Sequence, residues 1–230
     1  MTAVNSFVSS SVKKALVVFS GGQDSTTCLL WAQRNFEHVE TVNFYYGQRH
    51  SIERDCAKNI AQKLNIIHHE VDLTFLQTLS TNSLTSESDI TQTGGFNQNP
   101  STFVVGRNAL FLTVAAAFSL PRGFNDLVFG ACQVDYSGYP DCREEFIRSQ
   151  EKTLSLATGS ELRIHTPLMN LSKADTFALA KELGGLDLVI EDSHTCYKGN
   201  RTRKNAWGYG CAECPACELR KKGFEEYGNR

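Results

Sequence analysis

The feature that most constrains the fold is a glycine-containing loop near the N-terminus, between two apolar segments. Residues 15–30 read ALVVFSGGQDSTTCLL. Residues 15–19 have the composition of a buried parallel strand, and residues 24–34 carry apolar side chains at helical spacing. A turn that leads into a helix N-terminus presents backbone N–H groups to an anion, and glycines let the backbone approach it closely. The sequence therefore predicts a phosphate-binding loop at residues 20–25.

This loop differs from the two most common nucleotide-binding loops. It has no lysine of the P-loop kind, and its glycines do not follow the GxGxxG spacing. Asp24 is expected at the helix start, where its carboxylate can cap free N–H groups or help to hold magnesium, and Ser25 adds a hydroxyl donor. A turn and helix cap without any ligand is the alternative interpretation, which the strand, loop and helix context disfavours.

Alternating strand and helix patterns continue along the chain. Strands are predicted at residues 39–44, 66–71, 127–131 and 163–166, and helices at 51–64, 107–118, 141–156 and 172–183. This order is typical of an α/β fold with an open, mainly parallel sheet of about five strands and helices on both faces. Ligands are then expected at the carboxyl ends of the strands. Residues 80–102 are polar and too long for a simple connection, as lids and disordered loops are.

Length and charge bound the class of protein. The 230 residues carry a formal net charge of −2, whereas domains whose whole surface binds nucleic acid are usually basic. No segment has the roughly 20 apolar residues that a membrane-spanning helix needs, and the first 14 residues lack the apolar core of a signal peptide. We therefore expect a cytoplasmic protein with a single domain over residues 1–230, a flexible leader at 1–13, no membrane association and no stable nucleic-acid partner.

Four of the eight cysteines lie close together near the C-terminus. They form two overlapping CxxC units and one upstream thiol: Cys196, Cys211, Cys214 and Cys217. Four thiolates suit tetrahedral zinc in a closed, structural site. The spacing predicts a zinc-binding subregion at 194–230, with an iron–sulfur cluster or free thiols as alternatives. His194 could replace one ligand, although four cysteines already complete a tetrahedron. A solvated surface explains the basic residues of this tail better than RNA binding does.

The loop pattern SGGxDS after a short strand resembles the signature of the N-type ATP pyrophosphatases, also called the PP-loop family. Further segments narrow the resemblance to the 7-cyano-7-deazaguanine synthase family, from about residue 14 to about residue 222. These are YGQRH at 46–50, GRN at 106–108, DYSGYPDCR at 135–143 and the four tail cysteines. The resemblance implies an adenine nucleotide alpha hydrolase-like, Rossmann-like fold and cleavage of ATP between its α and β phosphates.

The family converts 7-carboxy-7-deazaguanine and ammonia to a nitrile with ATP, on the route to queuosine. The resemblance therefore implies an ATP-dependent carbon–nitrogen ligase that uses magnesium and zinc and forms a homodimer. Two features depart from the family pattern. Val105 stands where the family usually has proline, and residues 197–210 form a longer and more basic segment than expected.

The resemblance also implies roles for individual residues. The implied catalytic residues are Asp24, Ser25 and Arg107. The implied nucleotide-binding residues are Phe19, Ser20, Gly21, Gly22, Gln23, Asp24, Ser25, Thr26, Thr27, Cys28, Leu29, Arg107 and Asn108. The implied substrate-binding residues are Gln48, Arg49, Asp135, Tyr136, Ser137, Tyr139 and Asp141. Lys173 follows a helix cap, where a solvent-facing side chain is expected rather than a phosphate contact.

Three other functions remain open at this point. A tRNA-thiolation enzyme would use the same loop to adenylate a base oxygen. A related 7-deazaguanine amide synthase would stop before the nitrile. A non-catalytic zinc-bearing adaptor would keep the nucleotide-binding fold alone, which the intact loop at residues 20–25 disfavours.

Overall fold

Five parallel strands form the central sheet. The computed structural model describes residues 12–48, 50–78, 103–134 and 139–230. The strands are β1 (Lys14–Val18), β2 (His38–Tyr45), β3 (His68–Asp72), β4 (Asp126–Val128) and β5 (Arg163–His165). Their order is β3-β2-β1-β4-β5, and every neighbouring pair is parallel. The predicted fold class is confirmed. Because the chain crosses from one side of β1 to the other, a topological switch point lies between β1 and β4, where such sheets bind ligands.

Helices cover both faces of the sheet. They are α1 (Gln23–Asn35), α2 (Ile52–Lys63), α3 (Arg107–Ser119), α4 (Glu144–Thr158), α5 (Lys173–Glu182), α6 (Leu186–Asp192) and α7 (Pro215–Gly228). Side chains of β1 alternate between the two faces. Leu16 belongs to the core cluster that contains Leu112 of α3, whereas Val17 belongs to the cluster that contains Leu29 of α1. A strand buried on both faces must be apolar at every position, which explains the continuous apolar run at residues 15–19.

Local interactions decide where α4 and α5 begin. Helix α4 begins at Glu144 instead of residue 141, because Pro140–Cys142 form a 3-10 turn before it. Helix α5 begins as predicted, since Ser172 and Asp175 form a reciprocal capping box: the Ser172 hydroxyl accepts from the Asp175 N–H at 3.2 Å, and the Asp175 carboxylate accepts from the Ser172 N–H at 3.0 Å.

The C-terminal tail contains more regular structure than the sequence predicts. Helices α6 and α7 and a short hairpin, formed by β6 (Lys204–Asn205) and β7 (Gly208–Tyr209), lie in segments for which no element is predicted. Helix α7 packs on α5, where the rings of Phe224 and Phe177 lie 5.3 Å apart. The polar segment at 80–102 and most of the leader lie outside the described residues. None of the helices within the described ranges is long and apolar enough to cross a membrane.

Candidate active site and candidate metal centre

The loop after β1 is held by the hydroxyls of its own serines. The Ser25 hydroxyl accepts from the Gly21 N–H at 3.2 Å and lies 3.1 Å from the Ser20 hydroxyl. The Ser20 hydroxyl in turn accepts from the Gly22 N–H at 3.2 Å. Because α1 starts at Gln23, the N–H groups of its first turn have no partners within the helix. Such N–H groups at a helix N-terminus are available to an anion.

The two loop glycines allow α2 to pack directly on the loop. Gly21 has a φ of +91°, and a Cβ there would lie 2.4 Å from the carbonyl oxygen of Glu53 and 2.6 Å from the backbone nitrogen of Ala57. A Cβ on Gly22 would lie 2.9 Å from the Glu53 carboxylate. A larger residue at position 21 would push the α2 backbone away from the loop, whereas one at position 22 would displace the Glu53 carboxylate.

A cavity of about 390 Å³ opens at the carboxyl ends of β1, β2 and β4. It brings together the phosphate loop, Gln48, Asn108 and Tyr139, which are distant in sequence. Among the described lining residues, four side chains are cationic and two are carboxylates: Arg54, Arg107, Lys173 and Arg220 against Asp24 and Glu53. The excess of positive charge suits a polyphosphate ligand.

Lys173 lies beside the phosphate loop. Its ammonium group contacts the Asp24 carboxylate at 2.6 Å, and its side chain is only 11% exposed. The prediction of a solvent-facing lysine was wrong, because the start of α5 packs beside the start of α1. The second carboxylate oxygen of Asp24 is buried and accepts no hydrogen bond from the described residues. It is therefore free to face a cation or a water molecule.

Arg107 is a second cation in the cavity. Its guanidinium donates a 3.3 Å hydrogen bond to the Tyr46 hydroxyl and lies over the rings of Tyr46 and Phe111. Its Nε is buried without a partner among the described residues. Burial alone would lower the pKa of Arg107, but the neighbouring phenols of Tyr46 and Tyr139 and the Asp141 carboxyl outweigh it and raise that pKa. A buried cation with an unused donor can bind an anionic ligand.

Sequence reasoning missed Glu53. This residue lies in the first turn of α2, lines the cavity and hydrogen-bonds with Ser20. Burial raises the pKa of its carboxyl to about 7, against the opposing effects of the Ser20 hydrogen bond and Arg107. The available signal was an acidic residue in the first turn of a predicted helix, directly after the polar segment at 46–50.

Three other lining residues also carried no prediction of a ligand contact in the sequence. They are Tyr46, Tyr197 and His194. Both ring nitrogens of His194 are buried without a hydrogen-bond partner among the described residues, and burial lowers its pKa to about 4. Its backbone N–H donates to the Gly21 carbonyl at 3.0 Å, which ties the tail to the phosphate loop.

The side chains of two predicted substrate-binding residues form hydrogen bonds within the protein. The Asp141 carboxylate accepts from the Asn108 N–H at 3.2 Å at the start of α3, and Asp141 does not line the cavity. The Gln48 amide accepts from the Tyr46 N–H at 2.9 Å and donates to the Phe44 carbonyl at 3.1 Å. These contacts favour positioning roles over direct substrate contact. The predicted residues Arg49, Asp135, Tyr136 and Ser137 lie outside the described residues.

Four predicted nucleotide-binding residues lie inside α1 and away from the cavity. They are Thr26, Thr27, Cys28 and Leu29, all fully buried. The Thr26 hydroxyl donates to the Gly22 carbonyl at 2.8 Å, and the Thr27 hydroxyl donates to the Gln23 carbonyl at 3.0 Å. The hydroxyl contacts of Thr26 and Thr27 therefore lie within the protein, and a nucleotide contact of these four residues stays a prediction.

The four tail cysteines meet at one point. Their sulfur atoms lie within 4.8 Å of one another, and all four residues are buried: Cys196, Cys211, Cys214 and Cys217. The Cys211 and Cys217 sulfurs are 3.9 Å apart, close to the about 3.8 Å that a tetrahedron with Zn–S bonds of about 2.3 Å requires. The N–H groups of Glu213 and Cys214 point at the Cys211 sulfur at 3.4 and 3.3 Å.

The donor set therefore fits one zinc ion. An iron–sulfur cluster is a poorer fit, because it places several irons and sulfides between its cysteine ligands and separates their sulfurs further. His194 does not belong to the group of possible ligands found in the described part of the chain.

Several basic residues of the tail are paired within the protein. Arg201 donates to three carbonyls at the end of α6, those of Glu191, Asp192 and Ser193. Lys198 contacts Glu213, and Lys204 contacts Glu191, each at 2.9 Å. These contacts favour the interpretation of the tail as a solvated, self-contained surface.

Comparison with known proteins agrees with the predicted family. The family model described as "Queuosine biosynthesis protein QueC" matches residues 14–228. The 7-cyano-7-deazaguanine synthase of Wolinella succinogenes is 50% identical over 220 residues, which cover 94% of this chain and 94% of the relative. The synthase of Bacillus subtilis is 51% identical over 215 residues, which cover 94% and 95%.

Among solved structures, a 4-thiouridine synthetase–RNA complex with bound ATP aligns at a TM-score of 0.49 and 16% identity, covering 94% of this chain and 51% of that chain. A similarity at this level supports no statement about function. The family match over residues 14–228 and the sequence identities of about 50% are much stronger findings. They show that this chain is an enzyme that belongs to the 7-cyano-7-deazaguanine synthase (QueC) family of queuosine biosynthesis.

Proposed function

We propose that the chain is an ATP-dependent ligase that converts 7-carboxy-7-deazaguanine and ammonia to 7-cyano-7-deazaguanine. One observation carries the proposal: in a chain of this family, a single cavity joins the loop at residues 20–25 to Arg107, a partly buried cation whose Nε has no partner among the described residues. ATP phosphates suit the loop, and an anionic acceptor suits the arginine.

The chemistry proceeds in two activation rounds. A carboxylate is a poor electrophile, so AMP is first transferred to its oxygen while pyrophosphate leaves. Ammonia then displaces AMP and yields the amide. A second ATP adenylates the amide oxygen, and loss of AMP leaves the nitrile. Both rounds cleave ATP between the α and β phosphates, so electrostatic stabilisation of the same phosphoryl group serves both.

The cavity residues then take distinct roles. The hydroxyls of Ser20 and Ser25 and the unpaired N–H groups of the first turn of α1 hold the β and γ phosphates, and Gly22 lets these phosphates approach the backbone. Asp24 holds Lys173 beside these phosphates and faces the magnesium that accompanies ATP. Arg107 balances the charge that develops between the α-phosphate and the acceptor carboxylate.

The acceptor base has its own wall of the cavity in this proposal. Tyr139 lines the cavity, its ring lies 5.4 Å from that of Phe103 near the start of α3, and aromatic faces suit a planar deazapurine. A zinc ion held by the four tail cysteines would keep residues 194–230 folded, so that Tyr197 and His194 complete the opposite wall. No reaction step is assigned to that ion, because four thiolates leave it no open coordination position.

The direct test is incubation of the purified protein with 7-carboxy-7-deazaguanine, ammonium and magnesium-ATP. Mass spectrometry should detect the nitrile together with two AMP for each nitrile formed. Reactions without ammonium should release no amide. The absence of both nitrile and substrate-dependent AMP would overturn the proposal, and amide as the final product would identify an amide synthase instead.

A tRNA-thiolation activity is less well supported. It requires a reactive thiol or a cluster near the nucleotide, and the described cavity lining contains Cys132, Cys142 and Cys196. Burial raises the pKa of Cys142 to about 12, which disfavours the nucleophilic thiolate. Cys196 belongs to the metal-binding group. Iron in the purified protein together with retention of tRNA would revive this alternative.

A further inference from the structure

Glu53 lies between the two halves of the cavity. On one side its Oε1 lies beside the phosphate loop, 2.9 Å from the position of a Cβ on Gly22, and Ser20 lowers its pKa. On the other side its charge interacts with the Arg107 guanidinium and with the phenols of Tyr46 and Tyr197. The carboxylate therefore sits between the expected position of the phosphates and the expected position of the acceptor.

The Glu53 carboxylate is also available for proton transfer. It and Asp24 are the carboxylates of the described cavity lining, and Asp24 already forms its ion pair with Lys173 at 2.6 Å. Glu53 forms no ion pair within the described ranges of the chain. Its side chain is only partly enclosed, since it faces the cavity. It can therefore contact a ligand and exchange its proton with solvent.

The proposed reaction needs such a group. Ammonia loses all three of its protons on the way to the nitrile: one in amide formation, one in adenylation of the amide oxygen and one in the final elimination. We propose that Glu53 is the general base that accepts these protons, an inference that rests on the proposed function.

Each of the three steps transfers one proton to Glu53. In amide formation, the nitrogen lone pair forms the C–N bond, Glu53 takes an N–H proton, and the C–O bond to AMP breaks with its electron pair left on AMP. In the second adenylation, Glu53 takes an amide proton, the freed pair forms C=N, and the oxygen attacks the α-phosphorus while pyrophosphate leaves. In the elimination, removal of the last N–H proton forms the nitrile and expels AMP.

The surroundings of Glu53 suit this role at neutral pH. Burial raises its pKa to about 7, and Asp24 adds to this, while Ser20 and Arg107 oppose it. Cys56, Tyr46 and Tyr197 also face its charge. A base with a pKa near the working pH accepts and releases protons efficiently. The same shift costs stability: the pKa in the folded protein is above the ordinary value of 4.5, so folding is weakened as the pH rises from that value through about 7.

The test distinguishes the first adenylation, which needs no ammonia, from the later steps, in which a proton leaves nitrogen. The Glu53→Gln variant keeps the shape of the side chain but cannot accept a proton. Exchange of labelled pyrophosphate into ATP, driven by 7-carboxy-7-deazaguanine without ammonia, reports only the first adenylation and should persist in the variant. Nitrile formation should fall by about 10²- to 10⁴-fold, and its pH profile should lose the inflection near pH 7. Glu53→Asp should recover part of the rate.

Asp55→Asn, an exposed carboxylate on the same helix, is the matched control and should behave like the parent protein. Equal loss of exchange and of nitrile formation in Glu53→Gln would assign the residue to the phosphate loop and overturn the inference, as would an unchanged nitrile rate. If the parent protein itself shows no exchange, the proposed function fails, and the role of Glu53 with it.

Thermal unfolding gives a readout that does not depend on activity. Glu53→Gln should melt at a higher temperature than the parent protein at pH 8, where the parent carboxylate is ionised at a cost. The two should melt alike near pH 5. A variant that melts at a lower temperature at both pH values would identify a purely structural carboxylate and contradict the proposed role.

Discussion

Two arginines line the cavity, one buried and one partly buried, and their hydrogen-bond donors are used differently. Arg220, on α7, is 1% exposed. It donates to the Trp207 carbonyl at 2.9 Å, to the Thr195 hydroxyl at 3.0 Å and to the Val189 carbonyl at 2.8 Å. Arg107, on α3, donates one 3.3 Å bond to a phenol and leaves its Nε unpaired among the described residues. The first arginine is bonded within the protein, whereas the second has capacity left for a ligand.

Charge supports the same distinction. Burial lowers the pKa of Arg220 to about 10, so it stays cationic at neutral pH although no carboxylate of the described chain pairs with it. For Arg107, burial is outweighed by the phenols and the carboxyl around it. The comparison teaches that Arg220 meets its hydrogen-bonding needs within the protein, whereas Arg107 does not. Changes in the tail should therefore cost stability, and changes at Arg107 should cost activity.

The largest effect is expected from Cys214→Ser, which removes one of the four thiolates of the tail. Structural zinc sites contribute folding energy directly, so we expect loss of bound zinc and of about 4–5 kcal/mol of stability. Zinc content measured by atomic absorption and thermal unfolding with and without a chelator check this. Cys56→Ser, at a buried cysteine of α2 outside the metal group, should keep its zinc. A Cys214→Ser protein with full zinc and an unchanged melting temperature would contradict the claim that changes in the tail cost stability.

Arg107→Gln tests the other side of the comparison. Loss of one charged contact to a developing anion typically costs about 10²- to 10³-fold in rate, or about 3–4 kcal/mol of transition-state stabilisation. Stability should change little, because few bonds within the protein are lost. Nitrile formation and urea unfolding are measured on the same preparation, with the exposed Arg34→Gln as control. A loss of stability as large as the loss of transition-state stabilisation would show that Arg107 is a structural residue.

Arg220→Met should give the reverse result. Two carbonyls and one hydroxyl lose a donor, and unpaired buried groups cost about 1–3 kcal/mol each, partly offset by the removal of a buried charge. We expect a net loss of about 2–3 kcal/mol with near-normal activity per folded, zinc-loaded molecule. Urea unfolding, zinc content and nitrile formation check this. Normal stability with lost activity would move Arg220 into the catalytic site.

The smallest effect is expected from Ser172→Ala at the start of α5, the helix that carries Lys173 and packs on α7. Loss of the cap should cost about 1 kcal/mol. Hydrogen bonds from Ser172 and Arg230 lower the pKa of Asp175 to about 2. Because this pKa is below the ordinary value of 3.8, its stabilising contribution is present above that pH and is lost as the pH falls toward 2.

The difference in stability between Ser172→Ala and the parent protein should therefore be largest at neutral pH and shrink in acid. Thermal unfolding at several pH values measures it, with Ser149→Ala, an exposed serine within α4, as control. A difference that is independent of pH would mean that the Asp175 carboxylate takes no part in the cap.

Features with contiguous residues were readable from the sequence. The loop at 20–25 and three of the four cysteines occupy short segments whose spacing alone indicates their chemistry. The role of Lys173 was not readable, because it is decided by the packing of α5 beside α1. Glu53 was missed for the same reason, since its place in the cavity depends on how closely α2 approaches Gly21 and Gly22. The contact of Asp141 was not readable either: its segment predicts substrate binding, which stays a prediction, and the fold brings its carboxylate to the Asn108 N–H.

The sequence by itself determined the order of β1–β5 and α1–α5, the glycine-containing loop after β1 and the group of four thiols, because periodicity and short spacings express local geometry. Only the tertiary structure decided which polar groups form hydrogen bonds within the protein and which remain able to contact a ligand. Burial, hydrogen-bond partners and the pKa of a carboxyl depend on elements that pack together from distant parts of the chain. Arg107 and Arg220 are the same residue type in the sequence, and the difference between them exists only once α3, α6 and α7 are in place.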